Sequence, residues 1–154
     1  PDADSIARLV DRFVDDGRTL GSALRIARQA VLERLVVLDV EQAAPLQAVT
    51  STMTALAEVA LDRALAQALS DDEAIHGAPL DDAGQRIDFW IVGMGKLGAR
   101  ELNVSSDIDL VYLYGDEGHA ASGSSASTMR RVNFLSRRNC SSVNAVPIGE
   151  TTFS

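Results

Sequence analysis

Cysteine is almost missing from this chain: Cys140 stands alone among 154 residues. A lone thiol rules out an internal disulfide framework and fits a reducing compartment. Long apolar runs are missing too, and none approaches the roughly 20 residues that a membrane span needs. No signal peptide is visible, so a cytoplasmic location is expected. Positive charge is scarce: 14 Lys and Arg face 22 Asp and Glu, for a formal net charge of -8. A general nucleic-acid binder would carry a basic face, so neither nucleic acid nor a membrane is expected as a partner. A nucleotide site stays open, because a metal ion offsets local negative charge. Only two histidines are present. One of them, His76, is expected alone in a loop, solvated rather than a ligand. What remains is ordinary for a globular chain of about one domain, with 46% apolar and 23% charged residues. The chain begins at Pro1 rather than Met, and it is expected to be a piece of a longer protein.

The first 75 residues read as helical. Ile6, Leu9, Val10, Phe13 and Val14 recur at i, i+3, i+4, i+7 and i+8, one stripe of a short helix. Asp15, Asp16 and Gly17 break it. A second helix is expected from about Thr19 to Leu38. A third is expected to begin near Pro45, where proline suits a first turn, and to end near Leu69. It should carry Leu46, Val49, Met53, Leu56, Val59 and Ala60 inward. This region offers no polar constellation, so a helical bundle or arm is the plain reading. The acidic stretch from Ser70 to Gln85, with Gly77, Pro79 and Gly84, reads as a linker, with 76–86 as its centre.

Ile87 to Val92 reads as a buried strand ended by Gly93, with Trp90 in the core on the face away from Ile91. Lys96 to about Asn103 could form two helical turns. Ile108 to Tyr114 reads as a second strand, on which Tyr112 and Tyr114 pack or line the sheet. Residues 119–128 are Ala, Ser, Gly and Thr after an initial His, as in a flexible loop. Arg130, Arg131, Arg137 and Arg138 cluster beyond it, and Met129 to Leu135 could form a helical turn or two. Residues 136–154 show no clear period and stay unassigned, with an aberrant tail as one reading.

The chemistry concentrates in Ile91 to Tyr114, IVGMGKLGARELNVSSDIDLVYLY. Asp107 and Asp109 are two apart at the expected start of a strand. A period of two puts both carboxylates on one face, with Val111 and Leu113 continuing that face into the core. Ile108, Leu110 and Tyr112 point the other way. Two carboxylates side by side repel and favour a cation between them. Mg²⁺ is the natural candidate, a hard ion bound by one or two carboxylates plus substrate phosphates. A bare Asp-x-Asp would more often be a solvated pair, but the preceding loop changes that. Gly93, Gly95 and Gly98 let backbone approach a phosphate and take positive φ. Amides opening the following helix favour an anion. Lys96 can meet a phosphate oxygen as a point charge, and Ser105 and Ser106 add hydroxyl donors. Glu101 and Asn103 are expected to tie the loop to the strand, and Arg100 to lie on the surface.

Two other loop types compete. GMGKLG literally matches G-x-G-x-x-G after a strand, the fingerprint of an NAD-type dinucleotide-binding module. That unit needs a crossover of at least about 10–12 residues, and only Ala99 to Ser106 are available. Its acidic residue should end the second strand, whereas Asp107 and Asp109 begin it. A P-loop fails, because Lys96 precedes the last glycine and no Ser or Thr follows it. A non-catalytic helical interaction fragment is the third reading, with an inert, incomplete site.

The segment GMGKLGARELNVSSDIDLVYLY resembles the signature of the glutamine synthetase adenylyltransferase/adenylyl-removing enzyme family, G-x-G-K-L-G-x-x-E-L-x-x-x-S-D-x-D-L. Every fixed position matches. The upstream stretch from Ala23 to Leu65 resembles the family's helical region more loosely. The family belongs to the DNA polymerase β-like nucleotidyltransferase superfamily. The resemblance implies an α+β fold, with an N-terminal helical region (1–75) followed by an incomplete nucleotidyltransferase-type mixed sheet with flanking helices (87–135). It implies Mg²⁺, ATP or ADP as substrate or product, and regulation of nitrogen assimilation. Such enzymes carry two copies of the domain. One attaches AMP to a tyrosine of glutamine synthetase, and the other removes it by phosphorolysis, giving ADP. PII signal-transduction proteins and glutamine set the balance. The wording GMGKLG with ELN and SSDID resembles the first, adenylyl-removing copy. By this resemblance Asp107 and Asp109 hold metal and are catalytic, while Gly93, Gly95, Lys96, Gly98, Ser105 and Ser106 hold phosphate.

The family's third carboxylate lies in a V-D-x-R-L-R-P-like segment that this chain does not contain. RVNFLSRRN could begin the expected helix, and NCSSVNAVPIGETTFS matches neither that helix nor the later strand. Glu150 is a weak stand-in for the third ligand. A truncated or frame-shifted reading of a longer gene would account for this. An incomplete fragment, inactive by itself, is the expectation.

Overall fold

The computed structural model describes residues 1–115, 119–120 and 147–148. Three helices come first. Helix α1 spans Ala3–Asp15, α2 Leu20–Gln42 and α3 Leu46–His76. The Asp2 side chain accepts the Ser5 N–H and caps α1. Hydrogen bonding to the Ser5 side chain, and then to its N–H, holds the Asp2 carboxyl below its ordinary value. Gly17, with φ +85°, turns the chain out of α1, and Thr19 caps α2 through the Ser22 N–H. Pro45 precedes α3 as expected of a residue that lacks an N–H.

Each helix packs on the other two. Ile6 and Val10 of α1 are buried, and so is the i+4 row Ala23, Ala27, Val31 and Leu35 of α2. The two alanines leave room for close helix approach. Met53, Ala55, Leu56 and Val59 complete the core from α3. Arg63 of α3 donates two hydrogen bonds to Asp11 of α1, at 2.9 and 2.7 Å, a bidentate clasp across the bundle. Burial pushes the neighbouring Asp62 carboxyl up, against the pull of Arg63.

Four helical expectations change. Leu46 does not face inward: it is 74% exposed, at the first turn of α3 before the helix meets the core. Helix α2 runs four residues past Leu38, and α3 runs seven past Leu69. The first part of the acidic stretch that reads as linker, Ser70 to His76, is helical, and its side chains pair along the helix. Gln67 donates to Asp71 at 2.7 Å, and His76 lies 4.0 Å from Asp72. His76 is therefore the last residue of a helix rather than a loop residue, and Gly77 ends it.

Pro79–Leu80 form β1, joined through a tight turn to Arg86, which bridges back to Leu80. Asp81 organises that turn by accepting the Ala83 and Gln85 N–H groups. Arg86 also pairs with Glu73 of α3. Strand β2 is Phe89–Gly93, helix α4 is Gly95–Gly98 and β3 is Leu110–Tyr114. His119–Ala120 form β4 and Pro147–Ile148 form β5. His119 and Ala120, expected in a flexible loop, instead pair with β1. The larger sheet has the order β3-β2-β5, with β2 central.

The fold is α+β. Every strand pair among the described residues is antiparallel, where a mixed sheet is expected. Strand β3 folds back alongside β2, pairing Gly93 with Leu110 and Phe89 with Tyr114. Trp90 is half-buried and lies against Gly115, and Tyr112 packs on Phe89 with ring centroids 6.0 Å apart. No helix among the described residues is long and apolar enough to cross a membrane. Cys140, Glu150, the four clustered arginines, the helical turns expected over 129–135 and the tail over 136–154, apart from 147–148, lie outside the described residues.

Candidate functional site at the glycine turn

Strand β2 delivers the chain into a tight turn at Met94. Of the three glycines expected to supply positive φ, only Gly95 does, at +56°. Gly93 is buried in the ladder with Leu110, and Gly98 is buried at the end of α4. The helix expected from Lys96 to Asn103 is a single turn. It closes early because Arg100 takes a left-handed conformation, φ +60°. The Arg100 N–H then donates to Leu97 O at 3.0 Å, and the Glu101 N–H donates to Lys96 O at 2.8 Å. These two bonds are a Schellman closure, with arginine where glycine is usual. One turn carries little macrodipole, so the anion-facing groups here are individual amides rather than a helix end.

Asp109 sits directly beside this turn. Its carbonyl accepts the Met94 N–H at 2.8 Å. Its carboxylate Oδ2 lies 4.0 Å from where a side chain on Gly95 would begin. Glycine takes that φ without strain, and its bareness also leaves the carboxylate open on that side. Asp107, Asp109 and Lys96 are all exposed. The strand starts at Leu110, not at the aspartates, which occupy the extended approach to it.

The side chains of β3 also sort differently from the expected alternation. Leu110, expected on the face away from the core, packs against the helical core. Leu113, expected inside, is 48% exposed. The sheet meets the helices through the Leu110 side, and the aspartates are left to solvent. Ser106 is half-buried and its Oγ accepts the Asn103 N–H at 3.3 Å, while its own N–H donates to Asn103 O at 3.2 Å. That small turn closes the loop on itself, and neither bond reaches β3, the strand that Asn103 was expected to meet. Ser105 is exposed in the same turn.

The helical region contributes more than its sequence signals. Leu97 and Leu102 are 3% and 4% exposed and belong to the helical core. Thr54 of α3, fully buried, donates to Thr50 O at 2.9 Å and accepts the Leu102 N–H at 3.3 Å. Glu58, one turn along, accepts from the Arg100 guanidinium at 3.1 Å. Thr50, Thr54 and Glu58 recur at i, i+4 and i+8 on α3, polar residues next to an inward stripe. That spacing was the available signal.

The oxygen donors at Asp107 and Asp109 suit a hard divalent cation whose remaining ligands are phosphate oxygens. No group of three or more His, Cys, Asp or Glu that could hold a metal occurs among the described residues. The dinucleotide reading loses its geometry. Strands β2 and β3 are antiparallel and joined through one helical turn, not through a parallel crossover.

The fold is a helical bundle joined to a small sheet whose glycine turn adjoins Asp109, and comparison with known proteins gives the class, an adenylyltransferase family. The sequence profile of the glutamate-ammonia ligase adenylyltransferase family matches residues 2–140. A bifunctional glutamine synthetase adenylyltransferase/adenylyl-removing enzyme of Burkholderia mallei is 47% identical over 125 residues, 78% of this chain and 14% of that protein. The enzyme of the same name from Bordetella pertussis is 49% identical over 96 residues, 62% of this chain and 10% of that protein. That of Nitrosomonas eutropha is 36% identical over 151 residues, 92% of this chain and 15% of that protein. The chain belongs to the glutamate-ammonia ligase adenylyltransferase family. It spans about one seventh of the length of the Burkholderia relative.

Proposed function

We infer that this segment is the phosphate- and metal-holding part of an enzyme that transfers AMP to, or removes it from, a tyrosine of glutamine synthetase. Family membership supports the reaction class. The observation that carries the site is the Asp109 carboxylate beside Gly95, the residue whose φ makes the turn. Asp107 and Asp109 hold Mg²⁺ against the nucleotide, and Lys96 and the turn amides hold phosphate oxygens. Gly93, Gly98, Ser105 and Ser106 shape or line that cradle. Bound there, the ion offsets charge on the phosphate oxygens as the bond to phosphorus changes. Lys96 orients the phosphate for in-line displacement. In the removing direction an oxygen of inorganic phosphate forms the new bond to phosphorus. The bond to the tyrosine oxygen breaks, and the products are ADP and unmodified protein.

The GMGKLG, ELN and SSDID wording favours the adenylyl-removing copy. Residues 87–135 would be its partial catalytic domain, 1–75 its helical region and 76–86 the join between them. A PII protein as regulator and the cytoplasm as location belong to the same reading. The segment expected to carry a third carboxylate is not among these 154 residues, so binding is expected of this chain and turnover of the longer enzyme.

Isothermal titration of the chain tests this. ATP should bind with Mg²⁺ and lose most of its affinity without it, and Asp109→Ala should remove the Mg²⁺ dependence. Binding of NAD in place of ATP would favour the dinucleotide module. Absence of any nucleotide binding would favour the non-catalytic interaction fragment.

A further inference from the structure

We propose that helix α3 positions the nucleotide turn, with Thr54 and Glu58 as its two points of attachment. The proposal deepens the reading of Lys96 and Asp109 as phosphate- and metal-holding groups, and it rests on that reading for its functional part. Three observations carry it. Thr54 is fully buried, and its hydroxyl is shared between α3 and the segment that leaves the turn: it donates to Thr50 O and accepts from Leu102 N–H. A threonine that only bonded back to its own helix would not reach another element. Glu58, with a side chain 19% exposed, meets Arg100, the residue whose left-handed backbone closes the turn. A non-glycine residue in that conformation is strained, and persists where its surroundings over-determine it. Finally, Leu97 and Leu102 flank Arg100 in sequence and are both sunk in the helical core.

The closed turn connects these points to the chemistry. Glu101 N–H bonds Lys96 O, so the backbone of Lys96 follows the residues that α3 grips. A small shift of α3 would move Lys96 relative to Asp109, whose carbonyl accepts the Met94 N–H and whose neighbour Leu110 pairs with Gly93 in the β2–β3 ladder. The long helix is thereby a positioning element for the site, and not only a partner in the bundle.

The test uses the 154-residue chain with Thr54→Val, Glu58→Gln and Arg100→Gly, and with Arg63→Gln as a control that weakens the bundle away from the turn. Two readouts are taken well below the unfolding transition: amide hydrogen exchange, and affinity for Mg²⁺ with ATP. Thr54→Val should speed exchange at Arg100 and Glu101 about fivefold and weaken nucleotide affinity by a similar factor. Glu58→Gln should act in the same direction by about twofold. Arg100→Gly deletes the Glu58 contact but takes that φ without strain, so the turn should stay closed, with exchange no more than about twofold faster. The Arg63→Gln control should lower thermal stability and leave both turn readouts unchanged. Unchanged exchange at Arg100 and Glu101 in both Thr54→Val and Glu58→Gln would overturn the proposal. So would equal changes in the control. If Thr54→Val does not fold, Glu58→Gln decides. If the parent chain binds no nucleotide, the reading of the site fails, while the exchange data still decide whether α3 holds the turn.

Discussion

Asp107→Asn in the full-length relative of this chain is expected to lower the AMP-removal rate by on the order of 100-fold or more, with little change in thermal stability. The substitution keeps the size and hydrogen-bonding capacity of the side chain and deletes one negative charge. If that charge helps to hold the metal that offsets phosphate charge during displacement, several kcal/mol of the lowered barrier go with it, at about tenfold in rate per 1.4 kcal/mol. The fold should barely notice. Asp107 is exposed, lies outside any strand, and carries no hydrogen bond on which the bundle depends. Steady-state phosphorolysis of adenylylated glutamine synthetase, read beside a melting curve, separates the two effects. A variant with near parental turnover would end the assignment of a metal to this pair.

The second large effect is on the fold. Leu97→Ala should destabilise the chain by about 2–5 kcal/mol, the usual span for deleting a buried leucine and leaving a cavity. Leu97 is 3% exposed and lies in the turn, yet it packs with the helical core. The loss should therefore appear as one cooperative transition at lower denaturant rather than as local loosening of a surface loop. Leu46, the same residue type at 74% exposure, is the comparison. Leu46→Ala should fall within about 0.5 kcal/mol of the parent. A Leu97→Ala effect as small as that of Leu46→Ala would mean that turn and bundle are not one unit.

The helices were legible because their signals are local. Ile6 and Val10 announce a stripe by spacing, and Pro45 announces a start because proline suits a first turn. The end of α3 was not legible. Ser70, Asp71, Asp72 and Glu73 look like linker by composition, and the pairs that keep them helical include Arg86, thirteen residues on from Glu73. The nearness of Asp109 to the glycine turn followed from motif order alone, and the ladder of Gly93 with Leu110 accounts for it. The direction of that ladder did not follow, since strand pairing is decided by tertiary contact rather than by composition. Leu110 was placed on the wrong side for the same reason. Period two assigns two faces to β3 but does not say which one meets the bundle. The parts of Thr54 and Glu58 are hard to read because polar residues on a long helix are usually solvated, and their spacing does not say that they meet a turn more than forty residues away.

Manganese relaxation is the most direct measurement of the central account. Mn²⁺ takes oxygen ligands as Mg²⁺ does, and it broadens the nuclear resonances of groups close to it. With ATP present, sub-stoichiometric Mn²⁺ should first erase the amide signals of Met94, Gly95, Lys96 and Asp109, and leave those of α1 intact. In Asp109→Ala the same addition should leave the turn signals standing. Broadening that begins at the acidic end of α3, or that persists unchanged in Asp109→Ala, would contradict a metal held beside the glycine turn.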